Sequence, residues 1–494
     1  MYKKIILIIT LFSAVIIAQD DYQKWLQQEK EKYNQYLEEQ DKDFIEFLKN
    51  DWDQFKLFSG EKSDQAPKPV EQPIVKIPPK EISPISPEPI MPIDIDPTVD
   101  KEEVVEDSPI PSEPELDKIE IDETVNTENV EIDFYGNINE VFYPKEIIVN
   151  VETPITNNTI AEFYSNIASK PYKDLLKQLL DQKERMRLND WQYITLLKRS
   201  AEKLYPNSRN DIYLFTWFLM LKSGYKARTG TIGNYVYIFA PSEQTIFDFA
   251  YFQTGDEELK YYILDLGDDQ TGEEGDIYTY KKDYPGADKI IDMNIKDAPI
   301  ILEEVTQKQI SFNVGDTSCA INIEYYPSTI KLYENYPYTQ LSIYFDSDVT
   351  TITKNSLLNG LSPFITGRSN EEAVNILLKF VQFSFEYEID QPNFGREKPL
   401  FVEETLFYPS SDCEDRAVLF SFLVKNLLGL KVIGVDYPGH VATAVKIDSD
   451  MKGDSVTFRG EKYLVCDPTY LGATIGMAQD EFKSGNYERL IEIN

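Results

Sequence analysis

The chain of 494 residues is short of several things, and each shortage narrows what it can be. Histidine occurs once, at His440, so any step that needs an imidazole has a single place to happen. Cysteine occurs three times, at Cys319, Cys413 and Cys466; an odd count leaves at least one thiol free. Positive charge is scarce. Against 85 Asp and Glu stand 49 Lys and Arg, and the resulting formal charge of -36 repels phosphate, which argues against a nucleic-acid partner. Beyond residue 18 no stretch approaches the ~20 apolar residues that cross a bilayer, so no transmembrane span is expected in the mature chain. Neither a cofactor nor a bound metal is expected. What is plentiful is apolar and aromatic: 42% of residues are hydrophobic, with 27 Phe and 32 Tyr, enough to build real cores at a length that allows about three domains.

Residues 1–18 read as a secretory signal, with Lys3 and Lys4 at its start, an apolar run from Ile5 to Ile17, and Ala18 before Gln19 as the cleavage point. The expected location is therefore exported, periplasmic or extracellular; left uncleaved, the same segment would act as an anchor. In an oxidising compartment Cys319 and Cys466 could pair, although nothing in the sequence supports it, and Cys413 is the natural free thiol. Residues 19–58 repeat aromatics every 11 residues: Tyr22, Tyr33, Phe44 and Phe55, then Trp25, Tyr36, Phe47 and Phe58 three positions on, with Leu26, Leu37 and Leu48. Eleven residues make about three helical turns, so these side chains line one stripe of an amphipathic helix. Such a stripe suits packing on its own chain, self-association, or docking on a partner protein or envelope surface. Residues 59–128 carry frequent prolines from Pro67 to Pro114 among acids, Ile and Val, almost without Gly or aromatics, which describes an extended, disordered linker.

His440 lies 27 residues from both Cys413 and Asp467. Cys413 opens an apolar, helix-like run that ends at Gly429, placing it in the first helical turn, where unpaired N–H groups and the macrodipole favour a thiolate. His440 and Asp467 fall in strand-like segments, Tyr437–Val445 and Lys462–Pro468. Cys413 would attack, His440 would take and return a proton, and Asp467 would orient the imidazole. Asp412, Glu414 and Asp415 should raise the thiol pKa. Protonated His440, Arg416 or Ca²⁺ could offset them; alternatively they cap the helix, with Ser411 and Glu414 as a Ser-x-x-Glu box.

Asp412-Cys413-Glu414-Asp415-x-Ala417, Gly439-His440-x-x-x-Ala444-Val445 and Tyr463-x-x-x-Asp467-Pro468-Thr469 resemble the transglutaminase-like superfamily of papain-like cysteine enzymes. Phe401-Val402-Glu403-Glu404-Thr405-Leu406 leading into the cysteine looks most like the bacterial transglutaminase-like cysteine proteases, some of which depend on calcium. The likeness covers roughly residues 370–475, and Gly429-Leu430-Lys431-Val432-Ile433 stands where Gly-x-x-Ala-Arg is usual. It implies a Cys413, His440, Asp467 triad acting on a protein or peptide substrate: a cysteine peptidase, or an acyltransferase using the same triad. A non-catalytic envelope or adhesion scaffold is the alternative. The oxyanion would meet the Cys413 N–H and a second donor, for which Tyr408 is the candidate.

Leu214–Leu219, ending at Gly224-Tyr225-Lys226, aligns without a gap on Leu419–Val424, ending at Gly429-Leu430-Lys431. At this offset Ser208 replaces Cys413 and Tyr235 replaces His440, while Lys260–Asp265 echoes Lys462–Asp467. The expected architecture is α+β: a papain-like or transglutaminase-like core present twice, a silent copy over 129–300 and a catalytic one over 354–494. Between them 301–353 is expected to be β-rich, since Gln309–Tyr344 alternates apolar and polar residues.

Overall fold

The computed structural model describes residues 28, 31–32, 35–49, 55–57, 62–64 and 127–494, apart from 254–258, 265, 268–276, 302, 315–316, 448–450 and 484. The expected signal over 1–18, nearly all of the 59–128 linker, and Asp265 lie outside the described residues. The chain is a mixed α+β protein with mostly antiparallel sheets, divided into two compact units. Among the described residues no helix is long and apolar enough to cross a membrane.

The first unit takes residues 129–304 and 326–348 together with the described residues before Pro67. It contains helix α1 (35–49), strands β1 (Phe55–Leu57) and β2 (Lys62–Ser63), and a hairpin of β3 (Thr127–Phe134) with β4 (Asn137–Pro144). Helices α2 (Asn157–Ala168), α3 (Lys173–Arg185), α4 (Asp190–Leu204) and α5 (Arg209–Lys222) follow. Then come β5 (Arg228–Ile232), β6 (Tyr235–Pro241), β7 (Ala250–Phe252), β8 (Tyr261–Ile263) and β9 (Ile277–Thr279), and later α6 (Pro327–Glu334) and α7 (Leu341–Asp346). The sheet runs β1-β9-β5-β6-β8-β7-β2.

One expectation changes here and one open reading is narrowed. The helix does not run through to residue 58, because residues 55–57 pair with β9 as an edge strand. The aromatic stripe is occupied at its C-terminal end: Phe44 and Leu48 are fully buried, Phe44 against Tyr164 at 5.3 Å, Tyr284 at 5.1 Å and Tyr280 at 6.1 Å between ring centres. Asp41 completes the contact, accepting from Tyr164 Oη (2.9 Å), Tyr284 Oη (2.8 Å) and Lys222 Nζ. Here the stripe packs on its own chain, while Tyr36 stays 53% exposed.

The second unit takes residues 305–325 and 349–494. Its elements are β10 (Thr306–Val314), β11 (Thr317–Tyr325), α8 (Thr351–Ile365), α9 (Asn370–Ser384), β12 (Glu386–Tyr387), α10 (Asp390–Phe394), α11 (Val402–Phe407), β13 (Ser410–Ser411) and α12 (Cys413–Leu428). The strands β14 (Val432–Tyr437), β15 (His440–Val445), β16 (Ser455–Phe458), β17 (Glu461–Cys466) and β18 (Arg489–Glu492) form a sheet in the order β16-β17-β15-β14-β18. The 301–353 segment is not uniformly β-rich: alternation does make the β10–β11 hairpin, but 327–334 and 341–346 are helices belonging to the first unit. Within the hairpin, Phe312 packs on Phe364 (5.2 Å) and Phe380 (5.1 Å). Gly360 of α8 lets β11 approach, since a Cβ there would lie 3.0 Å from Ile321.

Helix α12 is buried from Cys413 to Val424, as its lack of a polar face requires. It packs on α9, α11 and the inner strands β14 and β15, and stops at Gly429 with φ of 63°. The strand orders β9-β5-β6-β8-β7 and β18-β14-β15-β17-β16 are the same when read in chain order, and antiparallel throughout. Each opens with a hairpin of identical loop length, closed by Ile232↔Tyr235 in one sheet and Tyr437↔His440 in the other.

Candidate functional site

His440 is the first residue of β15, entered through a turn in which Gly439 takes a left-handed φ of 71°. Its Nε2 meets Asp467 Oδ2 at 3.0 Å, just past the end of β17. Gln479 Nε2 donates to the same oxygen (2.9 Å), while Oδ1 accepts from the backbone N–H groups of Thr469 (2.9 Å) and Tyr470 (3.2 Å). Burial alone would push this carboxyl up, but His440, Gln479 and Thr469 outweigh it and hold Asp467 below its ordinary value. Gln382 braces the loop, donating to the carbonyls of Asp467 (3.1 Å), Tyr470 (2.8 Å) and Ala473 (3.2 Å). Phe482 stacks on the imidazole, 4.9 Å between ring centres and 11° between planes. With Nε2 engaged by a carboxylate, the proton belongs on Nε2. Nδ1 is buried and has no hydrogen-bond partner among the described residues.

Cys413 is the first residue of α12 and 1% exposed. The expected capping pair shifts by one: the N-cap is Asp412, whose backbone N–H donates to Asp415 Oδ2 (3.2 Å). Ser411 instead accepts from Arg416 Nε at 3.1 Å. The thiol does not join His440. It donates to Glu414 Oε2 at 3.0 Å, with the Val441 backbone amide, next to the histidine, also interacting with the sulfur. Burial, then the charges of Glu414 and Asp412, push the thiol well above its usual pKa, and the Val441 amide opposes them. His440 and Asp467 are thus brought together, and Cys413 sits beside the chain at residue 441 with its sulfur turned to an acid.

The acids around the cysteine form the second part of the site. Burial and neighbouring carboxylates raise Asp412 strongly, Asp390 to about 9 and Asp415 to about 8. Both side-chain oxygens of Asp412 are buried without a hydrogen-bond partner among the described residues. One carboxylate oxygen each from Asp390, Asp412 and Glu414 lie within 4.8 Å of one another, a hard-oxygen donor set that fits a divalent cation.

Sequence reasoning missed Gln382, Asp390, Gln479, Phe482 and Tyr387. None carries a local motif, and only the folded chain brings them to the triad segments. Tyr408, the candidate oxyanion donor, has its ring edge-on to Phe394 (5.1 Å) and Phe407 (5.0 Å). All three cysteines are free, so no Cys319–Cys466 bond forms. In the first unit Ser208 caps α5 and Tyr235 opens β6, and the Arg209 guanidinium lies against the rings of Tyr213 (4.1 Å), Tyr237 (4.8 Å) and Tyr235 (5.2 Å). That unit also has an open cavity of about 770 Å³, in whose lining Lys183 and Lys289 both meet Asp190 at 2.7 Å. No family of known proteins, no curated protein and no solved structure matches this chain.

Proposed function

We propose that the protein is an exported thiol enzyme resembling the transglutaminase-like superfamily, and that it cleaves amide bonds in a protein or peptide through an acyl-enzyme on Cys413. The observation that carries this reading is the state of the single imidazole: Nε2 is tied to buried Asp467 and Nδ1 has no hydrogen-bond partner among the described residues, beside the segment that touches the sulfur. Such an imidazole can accept one proton on one side while a carboxylate stabilises the cation.

The thiol first exchanges Glu414 for Nδ1 and passes its proton there. Sulfur then attacks the amide carbon, an S–C bond forms, and the carbonyl π pair moves to oxygen. As the oxyanion collapses, the C–N bond breaks and the departing amine takes the proton from Nδ1. Water, deprotonated by the same nitrogen, attacks the thioester; the C–S bond breaks and the thiolate recovers the proton. An amine in place of water would give acyl transfer by the same triad.

Asp390, Asp412 and Glu414 would hold a hard cation such as Ca²⁺, which when bound would neutralise the charges that raise the thiol pKa. A non-catalytic scaffold draws its support from that same thiol, buried and paired with an acid. The matching strand order and hairpin closure support reading the first unit as a silent copy of the second, with Ser208, Tyr235 and a tyrosine-flanked Arg209 in place of thiol and imidazole.

Iodoacetamide labelling read by mass spectrometry tests the proposal. In the presence of Ca²⁺, Cys413 should alkylate faster than Cys466, and His440→Ala should slow it roughly 10²-fold, the size of a general-base contribution. Equal rates in the wild type and in His440→Ala would leave only the scaffold.

A further inference from the structure

We propose that the Tyr387 hydroxyl is the second hydrogen-bond donor, beside the Cys413 backbone N–H, to the oxyanion that forms when Cys413 attacks a carbonyl. The inference rests on the thiol-enzyme reading and adds to it the residue that sequence reasoning sought at Tyr408.

Tyr387 is fixed to the segment that carries the nucleophile. Strand β12 pairs in parallel with β13, placing Tyr387 opposite Ser411, two residues before Cys413. The Glu388 N–H donates to the Ser411 carbonyl at 3.5 Å. The guanidinium of Arg416 lies 5.4 Å from the Tyr387 ring centre, and is itself held by Ser411 Oγ (3.1 Å) and the Phe385 carbonyl (2.9 Å). A tyrosine held by its own backbone and by its ring has little freedom to place its hydroxyl elsewhere.

That hydroxyl is buried and has no hydrogen-bond partner among the described residues, although the residue as a whole is only half-buried. A buried donor left unpaired costs about 1–3 kcal/mol, a cost that an oxyanion formed beside Cys413 would remove by accepting from it. The groups whose charges it feels are Cys413, Asp412 and Glu414, with Arg416 opposing them. Burial and these acids raise its pKa, so it keeps its proton and remains a donor at neutral pH. The Cys413 N–H, at the first helical position, is one of the helix N–H groups without an intrahelical acceptor. Two donors of this kind are what a tetrahedral oxyanion requires.

Acetylation by p-nitrophenyl acetate tests the assignment on the full chain with Ca²⁺ present. The wild type should release one burst equivalent of p-nitrophenolate as Cys413 is acetylated. Tyr387→Phe should slow that burst by about 10²-fold or more with little change in half-saturation, the loss typical of one oxyanion donor. Its alkylation by iodoacetamide should proceed at the wild-type rate, because displacement at a methylene carbon forms no oxyanion. A wild-type burst in Tyr387→Phe overturns this assignment and leaves the thiol enzyme standing. Equal slowing of both reactions, or loss of folding, makes Tyr387 a structural residue and overturns it too. Absence of any burst from the wild type removes the enzyme reading and this one with it.

Discussion

Four carboxyl groups, Asp390, Asp412, Glu414 and Asp415, crowd the start of α12, and the protonation of Asp390, Asp412 and Asp415 is the main residue-scale lever on the second unit. Asp390 is pushed up to about 9 and Asp415 to about 8, mainly by burial. Each binds its proton more tightly in the folded chain than in the unfolded one, where carboxyls titrate near 4. Their contribution to stability is therefore full at low pH and is lost as pH rises through about 8 to 9, at up to about 1.4 kcal/mol per pH unit and group. In EDTA, calorimetry should show the melting temperature falling as pH is raised from about 5 to about 9, and Ca²⁺ should restore it. Asp390→Asn should flatten the pH slope and abolish the calcium response; a wild type indifferent to both would contradict the cation site. The pairing of His440 with Asp467 and the place of Cys413 at the start of α12 were legible because each residue sits in a short motif. Gln479, Phe482, Gln382 and Asp390 were not, since each reaches the site from a separate segment and no pattern of neighbouring residues marks it.

At the scale of elements, periodicity revealed what local burial determines and misplaced what partners determine. The boundaries of α12 were readable because a thiol-bearing first turn, an apolar run and a C-terminal glycine agree. The strand at 55–57 was not, because an 11-residue aromatic pattern continues through it and only pairing with β9 overrides the helical period. The alternation after 309 was likewise right for β10 and β11 and wrong for α6 and α7, whose short helices have no long stripe to give them away. Helix α1 owes its place to Phe44 and Asp41 rather than to propensity. Phe44→Ala should cost about 3–5 kcal/mol at this contact, the range for a buried aromatic truncated to alanine. Limited proteolysis should then cut within 35–49 under conditions where the wild type resists; equal resistance would mean that the helix is held by other contacts.

At the scale of the whole molecule, a helix followed by five antiparallel strands recurs with the same order and hairpin closure, and one recurrence carries the chain's only imidazole. The similarity of α5 to α12 was visible in sequence; the shared order of five strands was not, since β7 and β9 are three-residue strands too short to show alternation. A single histidine also makes the central claim directly measurable, because the protein labelled with ¹⁵N-histidine gives one pair of ring-nitrogen signals. The account predicts a proton on Nε2, a bare Nδ1, and a clear shift of the Nδ1 signal in Cys413→Ala with Nε2 little changed. A proton found on Nδ1, or an Nδ1 signal that ignores the loss of the thiol, would show that sulfur and imidazole do not share a site.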